Sequence, residues 1–498
     1  MPRLPASFRC GAARSRACLC RFGAAGALVG VLAACVDLSP RYVRPAAPVP
    51  AAYPQEAAAA ASDAGVEADW RHYFTDPQLQ SLIRVALANN RDLRIAALRT
   101  QEARAAYAIQ RADQWPTLAV GAQAARARTP GDLNMSGRPV VGGDNEAYVG
   151  ISSWELDLWG RVRNLKQSAL QDYLASEAAR HGVRVSLIAQ LADGYLQLRE
   201  LDERLTLTRQ TIDSRQESFR IFKRRYEVGA ISKLDLTQVE TLLNQAQSLS
   251  AQLEQARASQ VHALQQLAGT TIELAPSERG FDDGAVLAGL PPGLPSSLLT
   301  RRPDLMAAEH RLRAAHANIG AARAAFFPRI ALTGTFGTAS AELDGLFDSG
   351  SRAWTFVPTL ALPIFDGGRR RAGLDLAEVR RNLAVADYEK TVQTAFREVS
   401  DALSARRWLA EQVRIQRQTL DAQAERARLA RLRYDSGASP YLEVLDAQRD
   451  LLSAQQALVQ TRRALLSSEV ALYAALGGGS HDIPADSPAR SAAAEAAP

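Results

Sequence analysis

The chain has 498 residues, enough for several ordinary domains, and is 47% hydrophobic but only 6% aromatic, so its apolar content is mostly alanine, leucine and valine. That mix suits long helices better than a β-sandwich or an enzyme barrel. The net charge of +6 does not mark a nucleic-acid binder, because five arginines and no acid fall within residues 1–34, leaving the rest near +1.

Those arginines (Arg3, Arg9, Arg14, Arg16, Arg21) precede an apolar stretch, Phe22 to Ala34, that is too short to span a bilayer. Basic, then apolar, then small residues is the order of an export signal, predicted over 1–34. Cys10, Cys18 and Cys20 leave with it, so Cys35 stands alone and no intramolecular disulfide or Cys-based metal site remains. The ending Leu32-Ala33-Ala34-Cys35 resembles a bacterial lipobox. The resemblance implies that Cys35 becomes the first residue and carries lipid, several chains giving stable anchoring where one is marginal. The competing reading is an ordinary signal peptide with an incidental cysteine. Val36, and not aspartate, follows Cys35, which under the lipoprotein sorting rules implies delivery to the outer membrane.

Residues 35–63 read as a Pro- and Ala-rich leash, extended and without a core of its own. No later segment offers the ~18 consecutive apolar residues of a transmembrane helix, so any crossing must use strands.

From there the chain is written twice. Asp92-Leu93 and Trp115-Pro116 match Asp304-Leu305 and Phe327-Pro328 at a spacing of 212 residues. Gly160-Arg161 matches Gly368-Arg369, Tyr226 and Gly229 match Tyr434 and Gly437, Leu234 matches Leu442, and Gly269 matches Gly477, all at 208. The two repeats are placed at 64–275 and 276–476, with a disordered tail over 477–498.

Each repeat predicts helix, strand, strand, long helix, turn, helix. The first helix runs from about Asp76 to Asp113 and stops before Trp115-Pro116, since proline disfavours helix just ahead of it. Strands follow near Thr117–Ala125 and Ala147–Asp157, split by a loop from Thr129 to Asp144. A very long helix then spans about Arg161 to Val228. Leu191, Leu198, Leu205, Ile212, Phe219 and Tyr226 recur along it every seven residues, the mark of a left-handed coiled coil. At 1.5 Å per residue it is about 100 Å long. The second repeat carries Val392, Val399, Val413, Leu420, Ala427 and Tyr434, with Arg406 interrupting the seam. Gly229 and Gly437 end the long helices, where a residue tolerant of positive φ is wanted. Return helices are predicted over about Ser232–Leu267 and Ser439–Leu476.

The second-repeat strands alternate cleanly: Ile330, Leu332, Gly334 and Phe336 on one parity, then Trp354, Phe356, Leu360 and Leu362. That is the pattern of an outer-membrane barrel strand, although alternation alone also fits a soluble sheet. In the first repeat Val149 and Ile151 share one parity and Trp154 and Leu156 the other, which predicts a bend or bulge. Four strands cannot close a barrel in lipid, so copies must assemble: two would give 8 strands and three would give 12.

These features together resemble the TolC superfamily of outer-membrane efflux ducts, in its OprM/NodT-type lipoprotein branch. The residues carrying the resemblance are Cys35, Leu38, Pro40, Tyr42 and Pro45; Trp70, Phe74, Asp76 and Leu79; and Trp154-Glu155-Leu156-Asp157-Leu158-Trp159-Gly160-Arg161. In the second repeat they are Arg302-Pro303-Asp304, Phe327-Pro328, Pro363 to Arg369, and Tyr441 to Arg449. The resemblance implies a mainly α fold with a small β part, a homotrimer, a 12-stranded membrane β-barrel and a coiled-coil tunnel crossing the periplasm. It implies a role as the outer-membrane channel of a tripartite efflux pump for drugs or other small toxic compounds. The implied partners are outer-membrane lipid, a periplasmic adaptor at the hairpin tips Gly229 and Gly437, and an inner-membrane RND, MFS or ABC pump.

The resemblance also implies a closed periplasmic mouth. Asp446 matches its acidic ring, Glu443 a second ring, Leu442 an apolar plug and Arg449 a nearby basic partner. Asp235 and Tyr434 match a pair that latches neighbouring coils. Ser439 stands where the enteric duct has a latch arginine, so that salt bridge is absent or taken over by Arg449. The plainer alternative for Asp446 and Glu443 is a solvated helix face.

An enzyme is disfavoured: the six histidines form no helical metal pair, and no phosphate loop or nucleophile elbow is present, so no catalytic residue, metal or cofactor is expected. A lipid-anchored periplasmic adaptor would have a single hairpin between β-rich domains. A type I protein-secretion duct remains as an alternative within the same fold.

Overall fold

The computed structural model describes residues 37–50, 69–274 and 302–478. The leader, Cys35 and most of the tail therefore lie outside the described residues. Residues 37–50 contain no helix or strand.

The elements are α1 (Trp70–Tyr73), α2 (Pro77–Asn89), α3 (Arg91–Ala112), β1 (Leu118–Thr129), β2 (Val140–Glu155), α4 (Arg161–Glu227) and α5 (Lys233–Ala268), then α6 (Pro303–Ala324), β3 (Arg329–Ser340), β4 (Arg352–Ala361), α7 (Arg369–Asp435) and α8 (Tyr441–Ala475). The duplication is exact in length where it matters: α4 and α7 have 67 residues each, α3 and α6 have 22 each. Among the described residues no helix is long and apolar enough to cross a membrane.

The single leading helix expected from about Asp76 to Asp113 is instead broken in two at Asn90, whose backbone is extended (φ −60°, ψ 134°). The Asn90 side chain accepts from the Leu93 N–H at 2.8 Å, capping α3, and donates to the Leu267 carbonyl at 2.8 Å. A carboxamide offered both a donor and an acceptor competes with the helix's own bonds. Upstream, Asp76 caps α2 through the Gln78 and Leu79 N–H groups at 2.7 and 3.2 Å, with Pro77 in the first turn.

The chain divides into two compact units: Met1–Arg44, Ala103–Tyr173 and His310–Val385 form one, and Pro45–Glu102, Leu174–Glu309 and Ala386–Pro498 the other. Each unit draws on both sequence repeats.

The first unit holds an antiparallel four-stranded sheet in the order β1-β2-β3-β4. The strands extend beyond the predicted bounds, taking up part of the Thr129–Asp144 loop. Val120, Val149, Phe336 and Trp354 are register partners across all four strands, as are Leu118, Ile151, Gly334 and Phe356. Partners lie on one face, so the sheet has a continuous apolar side. The expected bulge falls between Ile151 and Trp154, with Ser153 at φ 50°. Its extra residue returns Trp154 to the apolar face opposite Leu332. The other face bears Thr333, Thr335 and Thr355, the last two 2.6 Å apart through their hydroxyls.

The Trp154-to-Arg161 motif is the joint between β2 and α4. Glu155 takes a two-pronged ion pair from Arg161 at 2.8 and 2.7 Å and a second from Arg329 at 2.9 Å. Asp157 caps α4 through the Val162 and Arg163 N–H groups, and Trp159 stacks on Phe327 with ring centroids 4.8 Å apart. At the start of α7, Asp366 plays the capping part through Gly368 and Arg370.

The second unit is organised by packing between helices. Tyr73, Phe74, Leu79 and Ile83 are buried against Ile188, Leu191 and Tyr195 of α4, Leu264 of α5 and Tyr473 of α8. The heptad seam holds at Leu191, Leu198 and Leu205, then loosens until Tyr226 is 40% exposed. Arg406 interrupts the α7 seam because its guanidinium faces Glu469, 4.0 Å away.

Candidate functional site

The residues singled out at the mouth lie where α4 turns into α5 and α7 into α8, all within the second unit. Both turns have the same backbone. Gly229 (φ 76°) and Gly437 (φ 75°) adopt left-handed conformations, and Ala230 and Ala438 return N–H bonds to the Arg225 and Arg433 carbonyls at 2.8 Å. This is the helix stop for which glycine is favoured, since a side chain there is strained.

The return helices start differently. Ser232 caps α5 in a reciprocal box: its hydroxyl accepts from the Asp235 N–H at 3.1 Å, and the Asp235 carboxylate accepts from the Ser232 N–H at 3.1 Å. At α8 the cap position is Pro440, whose ring carries no acceptor to offer the free N–H groups. The residue aligned with Asp235, Glu443, is thereby released and pairs with Arg433 of α7 at 3.1 Å.

Beneath the tips is a small apolar core of Phe222, Leu236, Val239, Tyr441, Val444, Leu445 and Ala447. Tyr441 lies 4.4 Å from the Phe222 ring and 4.8 Å from the Tyr434 ring, and its hydroxyl donates to Ser218 at 2.9 Å. Arg225 donates to the Tyr434 hydroxyl at 2.5 Å. Further along α8, Arg449 joins Asp446 at 3.2 Å and Asp450 at 3.1 Å, while Arg426 reaches Asp450 at 2.6 Å. Arg426, with Arg449 beside it, holds the Asp450 carboxyl below the usual carboxylate range.

The sequence profile described as "Outer membrane efflux protein" matches residues 82–270 and again 294–478. The chain belongs to this family. It is similar to the outer membrane protein OprJ of Pseudomonas aeruginosa, with 43% identity over 92% of this chain and 96% of that protein. It is 44% identical to the toluene efflux pump outer membrane protein TtgI of Pseudomonas putida, over 89% of this chain and 95% of the relative. The solved open-state MtrE outer membrane channel of Neisseria gonorrhoeae superposes with a TM-score of 0.82 at 36% identity, covering 89% of this chain and 98% of that one. An outer membrane efflux protein thus has the mainly helical, TolC-like fold seen here, and the outer membrane as its location.

Within this family frame the singled-out residues separate. Leu442 is 47% exposed at its tip, and Leu234, its counterpart, is 66% exposed. Asp446 lies half-buried on α8 beside the buried Val444, Leu445 and Ala447 and pairs with Arg449. Asp235 and Tyr434 are engaged elsewhere within one chain, Asp235 in the cap and Tyr434 with Arg225. Within the chain Arg449 is held by two carboxylates of its own helix, Asp446 and Asp450. The Ser439 hydroxyl is buried without a hydrogen-bond partner. Three contributors were missed by sequence reasoning: Arg225, Arg433 and the stacking role of Tyr441. Tyr441 had a signal, since its repeat counterpart is Lys233 and a core aromatic replaces a surface cation.

Proposed function

We propose that this chain is one third of a homotrimeric outer-membrane channel, in which three four-stranded sheets close a 12-stranded barrel and the long hairpins form the wall of a passage. The sheet carries this reading. Among the described residues β1 and β4 are its edges, and Val120, Phe336, Trp354 and Leu360 are 84%, 61%, 70% and 66% exposed on its apolar side. Hydrocarbon tolerates exposed side chains of this kind but no unpaired backbone edge. Membrane barrels of this type use eight or more strands, so other copies must supply the partners. Strands of 10 to 16 residues are long enough to cross.

The channel conducts passively, and the toluene pump relative supports small apolar toxic molecules as the cargo. Lipid on Cys35 anchors each copy. The tips at Gly229 and Gly437 meet a periplasmic adaptor that links the channel to an inner-membrane RND, MFS or ABC pump. Three copies of Asp446, with Glu443 as a second ring and Leu442 as an apolar plug, form the periplasmic constriction. There the carboxylates repel one another and attract cations.

The test is conductance in planar bilayers of protein purified as a heat-sensitive trimer. A cation-preferring pore blocked by multivalent cations is expected, with block weakened at least several-fold in Asp446→Ala. A monomer without conductance would overturn the channel reading; unchanged block in the variant would overturn the gate alone.

A further inference from the structure

The first unit contains a cavity of about 520 Å³ whose wall is strongly basic. Arg41, Arg163, Lys166 and Arg313 line it, and Asp37 is the one carboxylate among its lining residues. Asp37 is already engaged. Its oxygens accept from the Ser39 N–H and hydroxyl, both at 2.9 Å, and from Asn164 at 3.1 Å. Against the upward push of burial, these bonds and nearby Arg163 hold the carboxyl below its ordinary range.

Two of the cations, Arg163 and Lys166, are not correspondingly satisfied. Arg163 turns Nε toward Asp157 at 3.5 Å, yet its Nη2 is buried with no hydrogen-bond partner. On the same wall the His316 Nδ1 is also buried without one. Among the described residues no hydrogen bond or ion pair reaches the Lys166 amine; burial, Arg111 and Arg163 all push its pKa down. Segment 37–50 helps fix the wall: Tyr42 meets His316 edge-on at 5.4 Å and lies under the Arg313 guanidinium at 5.0 Å. A buried donor without an acceptor is costly, and clustered like charges repel. An anion presenting several oxygens in different directions relieves both, and guanidinium groups bind such oxygens in pairs.

We propose that this cavity binds a phosphate group, that of an anionic membrane phospholipid headgroup. The lipid as source rests on the channel reading, in which Cys35 is held at the membrane. Asp37 is two residues further on, a link spanning at most about 7 Å, which leaves the cavity within reach of headgroups.

The test uses full-length protein in a neutral detergent, with binding followed by native mass spectrometry and thermal shift. The probes are phosphatidylglycerol, phosphatidylcholine and inorganic phosphate. Neither conduction nor acylation enters the assay, and the Cys35→Ser protein serves equally, so failure here and failure of the channel reading are distinguishable. Phosphatidylglycerol is expected to bind saturably, to raise the melting temperature and to be displaced by inorganic phosphate. Lys166→Gln and Arg163→Gln should each weaken binding about tenfold or more, and Lys390→Gln, on an exposed face, should not. Because Lys166 has no partner to lose, Lys166→Gln should also raise the melting temperature of the lipid-free protein. Inorganic phosphate binding without any effect of lipid would overturn the headgroup assignment. Undiminished lipid binding by both variants would overturn the site.

Discussion

His181, half-buried on α4, is the residue whose charge state folding controls most legibly. Burial, then Arg180 and Arg184 against Glu177, holds its imidazole below the ordinary histidine pKa. The unfolded chain therefore binds the proton more readily. The contribution to stability is complete above the unfolded value near 6.5 and is lost as pH falls through the folded value. The melting temperature should fall between pH 7 and pH 5, and His181→Gln should make that fall shallower; an unchanged slope would clear His181 of the effect. Asp202 raises the opposite issue, a charge that must stay. It is buried on α4 and paired with Arg257 of α5 at 2.6 Å, while Arg257 also donates to the Leu274 carbonyl at 3.0 Å. Asp202→Ala leaves the mostly buried Arg257 guanidinium without its carboxylate and should cost about 3 kcal/mol in chemical denaturation. Replacing both partners by apolar residues should recover most of that loss.

Between elements, the two hairpin turns share a backbone but not a cap. Ser232→Ala removes the box that starts α5 and should cost about 1 kcal/mol. Amide exchange should accelerate in the first turn of α5. Ser439→Ala, at the other tip, should leave exchange in α8 unchanged, since the Ser439 hydroxyl satisfies nothing. Equal effects at both tips would mean that the caps do not control these turns. The same pair of turns shows how duplication diverges. Pro440 in place of a capping serine frees Glu443, and the freed carboxylate crosses to α7 to pair with Arg433. A residue spent on local helix start in one repeat holds two helices together in the other.

At the scale of the whole molecule, the proposed anchor and the proposed barrel are separable. Cys35→Ser should abolish metabolic labelling with palmitate while leaving the heat-sensitive trimer intact, because the barrel's closure comes from strand pairing and apolar burial and not from acyl chains. Loss of the trimer in that variant would tie assembly to the lipid.

Much of this architecture could be read along the chain because its signals are short-range. A seven-residue period needs only the helix itself to be recognised; the predicted bounds of α4, about Arg161 to Val228, fall within a residue of those observed, and the same period marked α7. A two-residue period marked β3 and β4, although β3 runs four residues past the last alternating position named, and the parity switch after Ile151 foretold the bulge. Asn90 was illegible, since the carbonyl that makes it break the leading helix belongs to Leu267, 177 residues later. The ion pairs at the tips were equally hidden: Arg449, Arg433 and Arg225 each have several acids or hydroxyls at similar distance along the chain. Long flexible side chains take whichever partner packing delivers. The same holds for the basic cavity, where Arg163 and His316 have no visible relation until α4 and α6 bring them to one wall.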